Sequence, residues 1–183
     1  MSTLSVNTIT AETGTTVTIA SGKKLVSTSA IEAPGIVIQT VQVANSAANN
    51  NNSTATWANT NYTISITPQY SNSILEYHYV VPFRINSNGS PMRGGFRVYR
   101  DISGGSSNLV INNTSNFEQH QVRNASNEYD DIWSGIFQDS NHGTTSQVTY
   151  RIQSYIHSDS GAQYITTYDA NIGGNLLVKE IKQ

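Results

Sequence analysis

The sequence feature that most constrains the fold is an alternation of apolar and polar residues on either side of a polar turn at residues 68–73. At residues 62–67 one face carries tyrosine and isoleucine while the other carries threonine and serine, which is the period of a strand with one buried face. Residues 74–81 carry apolar side chains on both faces, which favours a central strand over an edge strand. Pro68 and Pro82 are expected just outside these strands, where a missing N–H costs no ladder hydrogen bond.

Short alternating segments of the same kind recur to the end of the chain. They predict about eight to ten strands after residue 35, at the spacing of sandwiches and barrels, and no convincing helix. Glycine pairs at residues 94–95, 104–105 and 173–174 are interpreted as hairpin turns. Because strands do not alternate with helices, a doubly wound sheet is disfavoured. The predicted fold class is therefore all-β, with a jelly-roll-like sandwich of two sheets.

The composition excludes several classes of function. Charged residues make up only 12% of the 183 residues, and the net charge of −2 gives no electrostatic footprint for nucleic acid. The absence of cysteine excludes disulfides and thiolate metal sites. The N-terminus lacks the features of a signal peptide, and no apolar run reaches the roughly 20 residues of a membrane span. We therefore expect a protein made in the cytoplasm that needs no cofactor and does not insert into a membrane.

Residues 1–30 are interpreted as a separate N-terminal β arm, and residues 31–183 as the sandwich domain. The arm has two strand-like segments around a turn at residues 12–15. Its apolar residues are too few for a core within one chain, and an isolated hairpin is marginal in water. These residues are Leu4, Val6, Ile9, Val17, Ile19 and Leu25. The arm is either disordered or buried against other copies of the chain, and its regular β-branched pattern favours burial between copies.

Residues that could carry chemistry are present, but not at the spacing that chemistry needs. The four histidines are widely separated and form no metal-spaced pair. Glu128, Asp130 and Asp131 could bind Ca²⁺, although a charged entry to a strand is the favoured interpretation. A solvated loop is likewise favoured for residues 139–142. Serine and histidine are too frequent for a catalytic triad to be inferred, so we expect no enzymatic activity.

A recognition surface is a further hypothesis. Most of the ten tyrosines occupy alternating strand positions, which favours packing in the core or between subunits. Tyr70, Tyr129 and Trp133 are the candidate anchors for a sugar or a protein. Long polar loops at one end of the sandwich would supply the other contacts. These loops are residues 44–55, 84–94, 112–128 and 138–145.

Several segments together resemble proteins of tailed bacteriophages. Residues 3–25 resemble the short N-terminal module of many virion and tail-fibre proteins. The remainder is similar to the C-terminal domain that accompanies this module, at residues 34–39, 65–68, 73–75, 95–101, 148–153 and 177–181. The resemblance implies a homotrimeric, jelly-roll-like fibre tip or decoration on a phage particle, similar in style to the tumour necrosis factor fold. Members are often longer, with a shaft between module and tip, whereas the connector here is residues 26–35.

The leading hypothesis is a non-enzymatic structural protein of the virion, either a short fibre or a capsid decoration. Its partners would be further copies of the chain and other capsid or tail proteins. An alternative hypothesis is a tail-fibre tip that binds a glycan receptor on the host surface. A third hypothesis is enzymatic: the chain would be a small depolymerase of host glycans.

Overall fold

The computed structural model describes Ser21 and residues 33–44, 50–86, 92–105, 107–111, 118–122, 128–157, 164–167 and 173–183. The chain divides into two units, Met1–Glu32 and Ala33–Gln183. The apolar residues of the predicted arm lie outside the described residues, so the structure of the arm stays a prediction. They are Leu4, Val6, Ile9, Val17, Ile19 and Leu25.

The described part of the second unit consists of strands joined by turns and contains no helix. The strands are, in chain order, β1 (Val37–Ala44), β2 (Asn50–Asn52), β3 (Ala58–Ile66), β4 (Ile74–Asn86), β5 (Met92–Ile102), β6 (Ser107–Ile111), β7 (Glu118–Val122), β8 (Glu128–Asp139), β9 (Val148–His157), β10 (Tyr164–Thr167) and β11 (Asn175–Ile181). In this part of the chain, accordingly, no helical segment of the length and apolarity needed to cross a membrane occurs.

The strands form two antiparallel sheets that pack against each other. The first sheet has the order β1-β11-β4-β10-β2, with β8 paired to the other side of β4. The second sheet has the order β3-β9-β5-β6, and β7 also pairs with β5. The chain passes between the sheets at most of its connections, for example from β3 to β4, from β4 to β5 and from β8 to β9. This interleaving is typical of jelly rolls, and it confirms the predicted all-β sandwich of two sheets.

Aromatic side chains hold the two sheets together. Trp133 of β8 is 1% exposed, and its ring lies 4.4 Å from the Tyr79 ring and 5.2 Å from the Phe96 ring, measured between centroids. Tyr77 of the first sheet stacks on Tyr150 of the second at 5.0 Å. Aromatic pairs of this kind contribute about 0.5–1.5 kcal/mol each beyond the area they bury. The core is therefore a continuous layer in which aromatic rings of one sheet pack against those of the other.

The central position predicted for the strand at residues 74–81 is confirmed, because β4 pairs with β11 and β10 on one side and with β8 on the other. The predicted end of this strand is wrong, because β4 continues through Pro82 to Asn86. β11 pairs with β4 as far as Val80, and β10 begins to pair at Phe83. Pro82 thus lies where no strand pairs with that side of β4, so a proline nitrogen facing this gap removes no ladder hydrogen bond.

Several segments predicted as loops or turns are strands instead. Residues 50–52 form β2, which pairs with β10, and the Asn52 side chain is buried. All of the described part of residues 84–94 belongs to β4 and β5. The glycines at 94 and 95 lie within β5 rather than in a hairpin turn, whereas Gly104 has a positive φ of 74° in the turn that joins β5 to β6. These strands were missed because asparagine and glycine are depleted in strands, and tertiary pairing overrides that preference.

Candidate functional site

The three predicted anchor residues do not form one site. Trp133 is a core residue rather than an exposed anchor. Tyr129 lies at the start of β8 with 42% of its surface exposed, and its hydroxyl donates a hydrogen bond to Asp131. Tyr70 lies in the turn between β3 and β4, half-buried, with the Lys182 ammonium 3.5 Å from its ring centroid. The three side chains therefore have separate environments.

The turn that holds Tyr70 is organised by a buried carboxylate. Glu180 is 0% exposed and accepts hydrogen bonds of 2.6–3.0 Å from the backbone N–H groups of Gln69 and Tyr70 and from the side chains of Ser73 and Gln39. Burial acts to raise the pKa of Glu180, but these hydrogen bonds outweigh it and lower the pKa below its usual value. The carboxylate therefore stays ionised and fixes the turn between β3 and β4.

Residues 139–142 were predicted as a solvated loop, and this holds for Ser140 and Asn141, which are exposed, but not for the residues at either end. Asp139 and His142 are each 3% exposed. One guanidinium nitrogen of Arg100 lies 2.7 Å from both carboxylate oxygens of Asp139, and the Tyr150 hydroxyl donates to the same carboxylate at 2.9 Å. Because Asp139 ends β8 while Arg100 and Tyr150 belong to β5 and β9, this ion pair ties the two sheets together.

One serine and one histidine come close to each other, at Ser73 and His142. The Ser73 hydroxyl lies 3.4 Å from the His142 Nε2 atom. However, Ser73 is 0% exposed, and its hydroxyl donates a hydrogen bond to Glu180 at 2.8 Å. The ring nitrogens of His142 lie 2.9 Å and 3.1 Å from the backbone oxygens of Ser73 and Thr144. A nucleophile must be reachable by a substrate and activated by its base. This pair is instead a buried structural contact.

Two acidic residues at the start of β8, Glu128 and Asp130, are paired with a cation of β4. Arg84 makes a two-pronged contact with Asp130, at 2.7 Å and 2.9 Å, and lies 2.7 Å from Glu128. Among the described residues, no group of three or more histidine, aspartate or glutamate side chains is arranged to hold a metal ion. Glu128 and Asp130 of β8 thus pair with Arg84 of the neighbouring strand β4.

An exposed apolar patch lies on the outer face of the first sheet, where β4 and β8 pair. Val80, Ile132 and Ile136 are 37%, 54% and 67% exposed. The register places Val80 opposite Ser134, with the two isoleucines on the same face on either side of that serine. We call these three residues the β8 apolar face. Isolated exposed apolar residues are common, whereas these three lie together on one sheet face.

The charged groups that flank the β8 apolar face are paired within the chain. Beyond one end lies the contact of Arg84 with Asp130. Beyond the other end, Gln138, His78 and Lys179 surround Glu76 and lower its pKa to about 2. The face is therefore apolar at its centre and carries paired charges at its margins.

The outer face of the second sheet has a different character, because it carries rings and a stacked cation. The Arg97 guanidinium carbon lies 4.2 Å from the centroid of the Trp57 ring and 5.2 Å from that of Tyr99. Its Nε atom donates to Gln153 at 2.7 Å. The Trp57 and Tyr155 rings are 5.2 Å apart. We call these five residues the Arg97 cluster.

Sequence reasoning missed the Arg97 cluster, although one signal was available. In the predicted strand at residues 96–100, Arg97 and Tyr99 share a face opposite Phe96 and Val98. That alternation could have placed an arginine and a tyrosine together on the solvent side. The neighbours from β9, and Trp57 directly before β3, could not be found in this way, because they depend on the pairing of strands far apart in sequence.

Compared with known proteins, the chain matches no protein-family model and no curated sequence.

Proposed function

We propose that this chain is a non-enzymatic structural protein of a tailed-phage virion that assembles as a homotrimer, as a short fibre or a capsid decoration. The two-sheet sandwich is compatible with the jelly-roll domain that the sequence resemblance implies. The observation that carries the proposal is the β8 apolar face, because exposed apolar side chains grouped on one sheet face favour self-association.

A second copy of this chain is the partner that best fits this face. The flanking carboxylates of Glu76 and Asp130 are already paired within the chain, so a partner needs no compensating charge. It needs apolar surface, which each further copy supplies. Burial of apolar surface contributes roughly 25 cal/mol per Å², and closed rotational symmetry lets every copy bury the same residues.

The N-terminal arm, residues 1–30, has a separate role in this proposal. Its apolar residues would meet those of other copies and dock the trimer on capsid or tail proteins. The division of the chain at Glu32 is compatible with an arm that acts apart from the sandwich. Deletion of residues 1–30 should leave a folded β-rich domain that no longer joins virions, and normal incorporation of the truncated protein would assign attachment to another part of the chain.

The test of self-association is the mass of the purified protein in solution, measured by light scattering or sedimentation. We expect three times the chain mass of 19.9 kDa at micromolar concentration. Replacing both Ile132 and Ile136 by lysine should give a folded monomer, because buried unpaired charges oppose association. Thr63→Lys, which adds the same charge at an exposed position of β3, is the matched control and should leave the mass unchanged.

Two outcomes would contradict this proposal. If the wild type has the mass of a single chain, the proposed homotrimer is wrong. A trimer that survives the double isoleucine substitution would show that another surface carries the association.

A further inference from the structure

Arg97 differs from three other arginines of the sandwich in what neutralises it. Arg84, Arg100 and Arg151 each pair with an aspartate. Among the described residues, Arg97 contacts two rings and an amide oxygen but no carboxylate. Burial lowers the pKa of Arg97 from its usual value. A half-buried cation without an anion is costly unless another molecule supplies the charge.

The geometry of the cluster fixes the direction in which this arginine can bind. The contact with the Trp57 ring restrains the guanidinium on one side, and the hydrogen bond from Nε to Gln153 fixes one edge of it. The two terminal nitrogens have no acceptor among the described residues. A guanidinium held in this way presents the fork that binds a carboxylate through two parallel hydrogen bonds.

Neutral groups beside the fork would contact the remainder of a ligand. Because Gln153 accepts from Arg97, its amide nitrogen is directed to the Asn59 oxygen, to which it donates at 2.8 Å. The amide nitrogen of Asn59, an exposed residue, is then free to donate to a hydroxyl group. Trp57 and Tyr155 add half-buried rings, which combine an apolar surface with a polar edge.

We propose that the Arg97 cluster is a binding site for an acidic saccharide, in which Arg97 receives the carboxylate of a uronic or sialic acid unit. The rings of Trp57 and Tyr155 face the C–H groups of the sugar ring, and Asn59 binds a hydroxyl. The site lies on the second sheet, and the β8 apolar face lies on the first. The proposal therefore goes beyond self-association and does not depend on it.

Two features favour a saccharide over other acidic partners. Extended peptides commonly bind by adding a strand to a sheet edge, whereas this cluster lies on the face of a sheet that already pairs β5 and β9. A nucleic acid needs a broad basic surface, but Arg151 on the same face is paired with Asp101 and the net charge of the chain is −2. One fixed guanidinium suits one carboxylate.

The experiment uses the fluorescence of the full chain, which contains two tryptophans. Trp133 is buried, so a ligand on the second sheet would change the emission of Trp57. The probes are trigalacturonic acid and 3′-sialyllactose, with the neutral sugars maltotriose and lactose as comparators. We expect a saturable change with one or both acidic probes and none with the neutral sugars. Added salt should weaken binding, because the contact is between charges.

Substitutions locate the binding. Arg97→Gln should weaken binding at least about tenfold, as expected for the loss of a charge-assisted contact of about 1.4 kcal/mol or more. Asn59→Ala tests the same site at an exposed position, so it keeps the proposal testable if Arg97→Gln does not fold. Arg84→Gln removes an arginine from the first sheet and is the matched control, with no change in affinity expected.

Three results would overturn the proposal. The first is no saturable change with either acidic probe up to about 10 mM, the weak end of measurable affinity. The second is binding of the neutral sugars that is as tight as that of the acidic probes, or binding of an acidic probe by Arg97→Gln and Asn59→Ala that is as tight as that by the wild type. The third is tighter binding of a glutamate oligopeptide with the same dependence on Arg97, which would assign the site to an acidic peptide.

Discussion

At Asp139, three polar side chains from three strands are buried together where the two sheets meet. Asp139 receives hydrogen bonds from Arg100 and Tyr150, so its charge is compensated within the core. Such a pair adds little stability relative to an apolar replacement, but breaking it leaves an uncompensated buried charge. The Tyr77 ring stacks on Tyr150, yet the buried Tyr77 hydroxyl has no hydrogen-bond partner among the residues that the structure describes. These two stacked tyrosines therefore differ in whether the hydroxyl is hydrogen-bonded.

The comparison of Tyr150→Phe with Tyr77→Phe isolates this difference. Tyr150→Phe removes a donor from Asp139 and should lower the free energy of unfolding by about 1–3 kcal/mol. Tyr77→Phe removes an unpaired buried hydroxyl, so the free energy of unfolding should change by less than about 0.5 kcal/mol or rise. Urea unfolding of both variants measures the two values. Equal losses would show that the Asp139 contact adds nothing specific.

Glu180 predicts how the stability of the sandwich depends on pH. Its pKa is lower in the folded protein than the ordinary value of 4.5. Its stabilising contribution is therefore complete above the unfolded pKa and is lost as the pH falls through the folded pKa. Glu180→Gln places an NH₂ group among the hydrogen-bond donors that surround Glu180. It should therefore lower the free energy of unfolding by about 1–3 kcal/mol at pH 7.

The measurement is urea unfolding of the wild type and Glu180→Gln between pH 7 and acid. The difference between the two should shrink as the pH falls below the ordinary value of 4.5, where the wild type begins to lose the contribution of this carboxylate. Glu128→Gln changes an exposed glutamate and should have little effect on stability. A difference that stays constant with pH would contradict the role of the ionised carboxylate.

At the scale of the elements, β4 shows how a proline fits in a central strand. β11 pairs with residues 74–80 of β4 and β10 pairs with residues 83–86, so two short strands share one side of a long one. Pro82 lies at their junction. A proline nitrogen that faces this junction implies that the N–H of Val80, two residues earlier, faces β11.

Val80→Pro and Pro82→Val should therefore differ strongly. Val80→Pro removes a ladder hydrogen bond opposite Asn175 and should lower the free energy of unfolding by about 1–3 kcal/mol or more. Pro82→Val loses only the restriction that proline places on the unfolded chain, about 0.4–1 kcal/mol. Thermal unfolding of the two variants provides the comparison. A larger loss for Pro82→Val would show that the proline itself shapes the strand.

Much of the element order was predictable from the sequence, because alternation reports directly on which residues face a core. The strands around Tyr77, Trp133 and Tyr150 were found in this way, and so was the fold class. β2 could not be found, because three asparagines carry no strand preference and become a strand only by pairing with β10. The Arg97 cluster was missed for a related reason, since it joins residues of β5 and β9 with Trp57, which directly precedes β3, and no local pattern encodes the order of these strands in the sheet.

At the scale of the whole molecule, the two outer faces of the sandwich differ in chemistry. The first sheet presents Val80, Ile132 and Ile136, whose burial against another apolar surface would be favourable in free energy. The second presents Arg97 with aromatic rings and amides, which suits a polar ligand. An assembly that buries the first face and leaves the second exposed would place one ligand site on each copy. Linked sites of this kind bind a repeating ligand more tightly than one site does.

Self-association through the β8 apolar face predicts that thermal stability depends on protein concentration. Binding that favours the folded state raises the melting temperature as the partner becomes more concentrated. The melting temperature of the wild type should therefore rise between about 1 μM and about 100 μM, since the partner is the chain itself. The double substitution of Ile132 and Ile136 by lysine should remove this dependence, while Thr63→Lys should keep it. A melting temperature of the wild type that does not change over this range would contradict coupling between folding and assembly through this face.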